Sequence, residues 1–256
     1  MLKKEISIII ATYNSEKYLE QAILSVLNQG IQNYELIIID AASTDLTVDI
    51  IEKYKDNISY WVSEPDKGIY DAWNKGLKHT TGEWVMFIGS DDYLLQDALA
   101  KYSNFIRNID SDVDYISARN QMIDSKGKEI RVKGWQWEWP LFLSEMTVSH
   151  PASLHRRRLF DQYGFFDTNY KIVGDYEFLL RPKDLLKASY MNEIILVMRE
   201  GGASDSIKAI YEHNLAAVNT GGENVFKAIF SFIITSVKVI TKRILRSLGF
   251  NAYLKK

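Results

Sequence analysis

The 256-residue chain contains no cysteine, which excludes disulfides, thiolate metal centres and a cysteine nucleophile. Histidine is scarce: His79, His150, His155 and His213 are the only four, and none forms an HExxH or i,i+4 pair, which argues against a zinc site. No G-x-G-x-x-G follows the first apolar run and no G-x-x-x-x-G-K-[ST] occurs, so dinucleotide and P-loop binding are disfavoured. Apolar runs also stop well short of the roughly 20 residues of a membrane span. Met1-Leu2-Lys3-Lys4 leads straight into Ile6-Ser7-Ile8-Ile9-Ile10, too short for a secretory apolar region, so a cytoplasmic location is expected.

Acids are missing from one end. Residues 225–256 carry seven lysines and arginines and no aspartate or glutamate, although the whole chain has a net charge of -2. The remainder is therefore acidic, and an acidic body with a basic tail argues against a nucleic-acid partner. It suits contact with an anionic membrane.

What is present is a strand–helix rhythm. Ile6 to Ile10, Tyr34 to Ile39, Ile58 to Val62 and Trp84 to Ile88 are short apolar or β-branched runs, and amphipathic stretches lie between them. Ser15 and Asp66 stand where helix N-caps are expected, the second before a helix with Tyr70, Trp73 and Leu77 on one face. This rhythm predicts an α/β fold with a mostly parallel central sheet and helices on both faces. Right-handed crossovers then bring the strand ends to one rim, where ligands bind in such sheets. Three polar clusters fall there: Thr12-Tyr13-Asn14, Asp40 and Asp91-Asp92. The adjacent carboxylates are either a solvated pair, one of which caps the next helix, or ligands for a hard divalent cation, Mg²⁺ or Mn²⁺.

Further along, Trp135 to Trp139 alternates aromatic with polar residues: an edge segment with indoles packed on the sheet, or a wall for an acceptor sugar. Arg156-Arg157-Arg158 is a solvated helix start or supplies a cation to a diphosphate. Asp175 is an N-cap, or a carboxylate aimed at a substrate hydroxyl as general base. Val225 to Leu248 plots as an amphipathic helix with Phe226, Phe230, Ile233, Val237, Ile240, Ile244 and Leu248 on one face and basic residues on the other, Phe232 and Val239 being exceptions. It can pack on the body, self-associate into a homo-oligomer, or lie on an anionic membrane surface.

With SIIIATYN, DAASTDLT, SEPDKGIYDAWNKG, TGEWVMFIGSDD, SHPASLHRRRLF and GDYEFLLR in this order, the chain resembles a bacterial family 2 glycosyltransferase of the GT-A fold over roughly residues 4 to 205. The resemblance implies a metal-dependent, inverting transferase of cell-surface polysaccharide synthesis. It would move a hexose or N-acetylhexosamine from a nucleotide sugar, UDP-linked by preference, to a glycan or polyprenyl-linked saccharide acceptor. A domain at 1–205 is expected, with a nucleotide half to about 95 and an acceptor half after it. The helical tail, 206–256, would place the protein at the inner face of the plasma membrane. By resemblance Asp40 accepts from the uracil N3–H, with Thr12, Tyr13, Gly68 and Asn74 nearby. Asp91 touches the ribose, Asp92 holds Mn²⁺ or Mg²⁺, and Asp175 is the catalytic base. His150, Arg156 and Trp137 fall to the acceptor or the diphosphate. Three departures accompany it: Ser90 replaces the first acid of the metal motif, Ala41-Ala42 replace the usual glycines, and Gly201-Gly202-Ala203-Ser204 stands where a closing loop is expected. The alternatives are a non-catalytic nucleotide-sugar or glycan-binding module and a nucleotidyltransferase of related fold.

Overall fold

The computed structural model describes residues 4–201 and 206–247. The expectations for Gly202, Ala203 and Ser204 of the closing loop, and for the tail from Leu248 onward, therefore lie outside the described residues.

The first half is the predicted parallel sheet. Strands β1 (Ile6–Thr12), β2 (Tyr34–Asp40), β3 (Tyr60–Ser63) and β4 (Trp84–Gly89) lie in the order β3-β2-β1-β4, all parallel. They are joined by helices α1 (Leu19–Leu27), α2 (Thr47–Lys53) and α3 (Ile69–Leu77). The unbroken apolar runs reflect burial of both sheet faces. Side chains alternate across a strand, so Ile8, Ile10, Ile38 and Ile88 pack against α1, while Ile9, Ile37, Ile39 and Phe87 pack against α3.

Neither expected cap forms. Asp66 Oδ1 accepts from Gly68 N at 2.8 Å, closing a turn one step before α3, whose cap position is Gly68. Ser15 Oγ donates to the Tyr13 carbonyl at 3.1 Å, and α1 begins only at Leu19. In both places the short polar side chain serves the preceding turn, a local bond that competes with capping.

The second half is mixed rather than parallel. It contains β5 (Tyr93–Leu94), α4 (Ala98–Ile106), β6 (Tyr115–Ile123), β7 (Glu129–Lys133), α5 (Trp139–Phe142), β8 (Ser153–Arg156), α6 (Arg158–Tyr163), α7 (Gly174–Leu180) and β9 (Ala188–Arg199). The sheet continues from β4 as β8-β6-β9-β5, with β7 beside β6; β6–β9 is parallel, and β8 runs antiparallel to β4 and β6. Only Ser90, Asp91 and Asp92 separate β4 from β5, yet β5 is the strand farthest from β4 along this second half. The sheet must therefore curl, which returns the end of β9 to the acids that follow β4.

Two more helices follow, α8 (Ile207–Asn219) and α9 (Val225–Ser247). Helix α8, which the sequence assigns to the tail, is packed into the body through buried Ala209, Ala216 and Ala217. Its buried Glu212 Oε2 accepts from the backbone N–H groups of Lys171 and Ile172 at 2.9 and 2.8 Å. Helix α9 buries Ala228 but leaves Phe226, Phe230, Ile233 and Val237 exposed.

Candidate active site

Register places the strand ends together. Thr12 pairs with Asp40, Asp40 with Ser63, and Ala11 with Gly89, so the three polar clusters share one rim. A cleft of about 480 Å³ opens there, lined by Thr12, Tyr13, Ala41, Asp66, Gly68 and Ile69 among others. Tyr13 is 62% exposed and Thr12 buried, so the Tyr13 ring is the accessible flat surface beside the cleft.

Asp40 does not offer its carboxylate to this cleft. It is fully buried: Oδ1 accepts from Ser43 Oγ, and Oδ2 accepts from Ser43 N at 2.9 Å and Ser63 Oγ at 2.6 Å. Its oxygens are engaged within the loop, as a buried carboxylate requires, and it is not among the residues lining the cleft. The same loop forces Ala42 to φ 57, the left-handed conformation that glycine would adopt freely. Asp66 is the carboxylate that lines the cleft instead. Its sequence position suggested a cap and gave no signal for this.

At the end of β4 the two acids converge. A Cβ built on Gly89 would lie 3.0 Å from Asp91 Oδ1 and 3.1 Å from Asp92 Oδ2. Asp91 is exposed and Asp92 buried; burial first, then the Asp91 charge, pushes the Asp92 carboxyl up to about 7, against the opposing pull of the Gly89 N–H and Arg199. Arg199 closes β9, its guanidinium 4.2 Å from the centre of the Tyr18 ring. Sequence reasoning missed it, since only the sheet's curl brings it here. Ser90, in the position of a third acid, points elsewhere, with its Oγ 2.7 Å from Ser15 Oγ. No group of three or more acid or histidine ligands forms among the described residues. Two carboxylates that share one space and repel each other fit a hard cation of the kind that takes one or two protein oxygens and completes its shell with phosphate and water.

Asp175 lies in the first turn of α7, one residue beyond Gly174; the cap position is Val173, so the expectation of an N-cap is corrected. Tyr70 Oη lies 2.9 Å from Asp175 Oδ1 and 2.8 Å from the Ile172 carbonyl, so its single proton is shared between the two acceptors. Burial raises the Asp175 carboxyl above its ordinary value, and the Tyr70 hydroxyl partly restrains that rise. The close approach needs a glycine: a Cβ at Gly174 would meet the Tyr70 ring at 2.9 Å. Asp175 opens into a second cavity, of about 630 Å³. Helix α3 thus joins the two regions, with Ile69 and Ala72 on the cleft and Tyr70 on Asp175.

Four further expected site residues lie outside the lining of the rim cleft. Asn74 clamps the backbone of Phe166, donating to its carbonyl at 2.8 Å and accepting from its N–H at 3.0 Å. His150 is buried between Trp73 and Phe87, ring centroids 5.0 and 5.6 Å away, and burial pushes it down to about 3. Arg156 pairs with Trp84 across antiparallel β4–β8, which puts it at the opposite edge from the acids, bridged to Glu83 at 2.9 Å. Trp137 packs on Phe142 with centroids 4.2 Å apart, so the packed-indole reading holds for it.

The family model described as "Glycosyl transferase family 2" matches residues 7–165. A PGL/p-HBAD biosynthesis glycosyltransferase of Mycobacterium bovis is 30% identical over 209 residues, which are 78% of this chain and 79% of that protein. Residues 1–349 of Staphylococcus aureus TarS, in complex with UDP-GlcNAc, share the fold with TM-score 0.66 at 19% identity, covering 98% of this chain and 76% of that one. The mannosyltransferase PcManGT from Pyrobaculum calidifontis, in complex with GDP-Man and Mn²⁺, gives TM-score 0.66 at 16% identity, covering 95% and 76%. With more than half of its length inside the family model, and a relative aligned along most of both chains, this chain is a glycosyltransferase and belongs to glycosyl transferase family 2.

Proposed function

We propose that the chain transfers a sugar from a nucleotide diphosphate, UDP in the first instance, to a saccharide acceptor by a single displacement with inversion, Asp175 serving as the base. The observation that carries this reading is the pairing of roles across α3: a cation-seeking acid pair on the rim, and a restrained, half-buried carboxylate facing a separate cavity. The acceptor hydroxyl forms a bond to the anomeric carbon, the bond from that carbon to the diphosphate oxygen breaks, and the proton moves to Asp175. Base catalysis of this kind contributes about 10²–10⁴-fold. A raised carboxyl suits it, since a base with a pKa nearer the working pH is a stronger proton acceptor.

Asp92, with Asp91 beside it, would hold Mn²⁺ or Mg²⁺, which when bound stabilises the charge developing on a leaving diphosphate. The UDP-GlcNAc complex of TarS supports a uridine nucleotide, and the Mn²⁺ complex of PcManGT supports a divalent cation. Tyr13 would lie against the base, Thr12, Gly68 and Asp66 would complete the cleft, and Asp91 would reach the ribose. A glycan or polyprenyl-linked acceptor fits a cell-surface role, with α9 resting on the cytoplasmic leaflet. No described helix is long and apolar enough to cross a membrane. Vesicle co-sedimentation tests that contact: replacing Phe226 and Phe230 with serine abolishes it if α9 lies on lipid.

The deciding experiment compares Asp175→Asn with Asp92→Ala, using UDP-sugar binding and turnover with Mn²⁺. Asp175→Asn retains donor binding and loses transfer, whereas Asp92→Ala weakens the donor–metal complex itself. Near wild-type turnover in Asp175→Asn would show that the base lies elsewhere.

A further inference from the structure

The segment 171–173 leads directly into α7 and meets the Asp175 region through its backbone. Tyr70 Oη lies 2.8 Å from the Ile172 carbonyl and 2.9 Å from Asp175 Oδ1. A phenol has one proton, so the place of the Ile172 carbonyl decides how that proton is divided between peptide and carboxylate. The segment is itself pinned from two sides. Glu212 Oε2 of α8 accepts from the backbone N–H groups of Lys171 and Ile172 at 2.9 and 2.8 Å. Lys171 Nζ donates to the Thr168 carbonyl at 2.7 Å and to the Lys67 carbonyl at 3.1 Å, one residue before Gly68 of the rim cleft.

Packing alone would be met by an apolar residue at position 212. Glu212 is 6% exposed, and a buried carboxylate is costly unless hydrogen bonds replace its water. Lys208 Nζ stands 3.9 Å from Glu212 Oε1 on a side chain that is 62% exposed, a pairing worth little. Two successive backbone N–H groups converging on one oxygen therefore carry the carboxylate, and bonds to a charged acceptor are roughly twice as strong as neutral ones. In return the carboxylate fixes the peptide planes on either side of Lys171. The peptide that bears the Ile172 carbonyl comes next.

We infer that Glu212 is a positioning residue for the transfer reaction: through the Lys171–Ile172 backbone it sets the Tyr70 hydroxyl against Asp175. Helix α8 is on this account part of the catalytic unit, although it lies beyond residues 7–165 of the family match. The inference rests on the reading of Asp175 as the base, because only then does the aim of its carboxylate limit the rate. Glu212 lines neither the rim cleft nor the second cavity, so its loss acts on turnover and not on donor binding.

Steady-state release of UDP from UDP-GlcNAc with Mn²⁺, water standing in as acceptor, tests it in the full chain well below the unfolding temperature. In Glu212→Ala kcat falls by about tenfold to a hundredfold, as expected when a catalytic group is displaced by up to about 1 Å. Donor KM and the UDP–Mn²⁺ thermal shift stay at their wild-type values. Glu212→Gln recovers most of the lost kcat, because its side-chain carbonyl still accepts from both N–H groups. A double-mutant cycle with Tyr70→Phe separates positioning from general destabilisation. If Glu212 acts through the phenol, Glu212→Ala costs nothing further in the Tyr70→Phe background, whereas independent effects multiply. Wild-type kcat in Glu212→Ala, or multiplied losses in the cycle, overturns the inference. Should Glu212→Ala fail to fold, Glu212→Asp takes its place with the same outcomes, since it keeps the charge and falls short of the two N–H groups. Asp175→Asn separates the two readings: full turnover in that variant removes the base assignment. An inactive Asp175→Asn beside a fully active Glu212→Ala removes only the role of Glu212.

Discussion

Tyr70 and Asp175, 105 residues apart, are held together by a 2.9 Å hydrogen bond from the phenol to the carboxylate. That bond stabilises the ionised carboxylate and opposes the upward push of burial. With Asp175 as the proposed base, which must be ionised, transfer is present above its pKa and falls as pH drops through it, at a higher pH than for an unperturbed aspartate. Tyr70→Phe removes the donor and moves this acid limb to still higher pH. The pH–rate profiles of the two proteins check this, and a limb that moves down or stays in place refutes the restraint.

Gly89→Ala is expected to disable the acid pair with little cost to the fold. The added methyl meets side-chain atoms of Asp91 and Asp92 rather than backbone, so the carboxylates are displaced while the strand stays. Mn²⁺-dependent UDP-sugar binding weakens by about tenfold or more, and the melting temperature without metal changes little. Titration calorimetry and a melting curve measure the two effects separately.

Ala42→Gly is expected to stabilise the protein. Its φ of 57 lies where an L-residue with a Cβ is strained by about 1–2 kcal/mol, partly offset by the larger unfolded-state freedom of glycine. The net gain is about 0.5–1 kcal/mol in denaturant unfolding. Ala42→Val lowers stability by a similar amount or more.

Asn74→Ala separates a structural role from a donor-binding one. Losing the paired bonds to Phe166 leaves a backbone N–H and carbonyl unsatisfied and destabilises by about 1–3 kcal/mol. Donor KM at a temperature well below unfolding stays at the wild-type value. A selective rise in KM without a stability loss would return Asn74 to the nucleotide site.

The rim of the first half was legible because its signals are local. Apolar runs ending at Thr12, Asp40 and Gly89 mark both the strands and the polar edge. The second half depends on pairings between distant segments. Strand β9, for example, mixes Ser189, Asn192 and Glu193 with its apolar residues, and no alternation marked it. The packing of Asn74 and His150 was hidden for a related reason: a polar residue inside a motif looks exposed to ligand until its neighbours are known. Tyr70 could have been anticipated, because a hydroxyl on the buried stripe of a helix must find a partner. Arg199 could not, since it joins Asp92 only through the curl of the sheet.

The glycine at position 174 carries a consequence for how this enzyme can diversify. Where a ring rests directly on main chain, no rotamer intervenes between them, so the spacing of phenol and carboxylate is inherited from the backbone. Substitutions in the surrounding helices can then reshape the second cavity while the Asp175 carboxylate keeps its place against Tyr70.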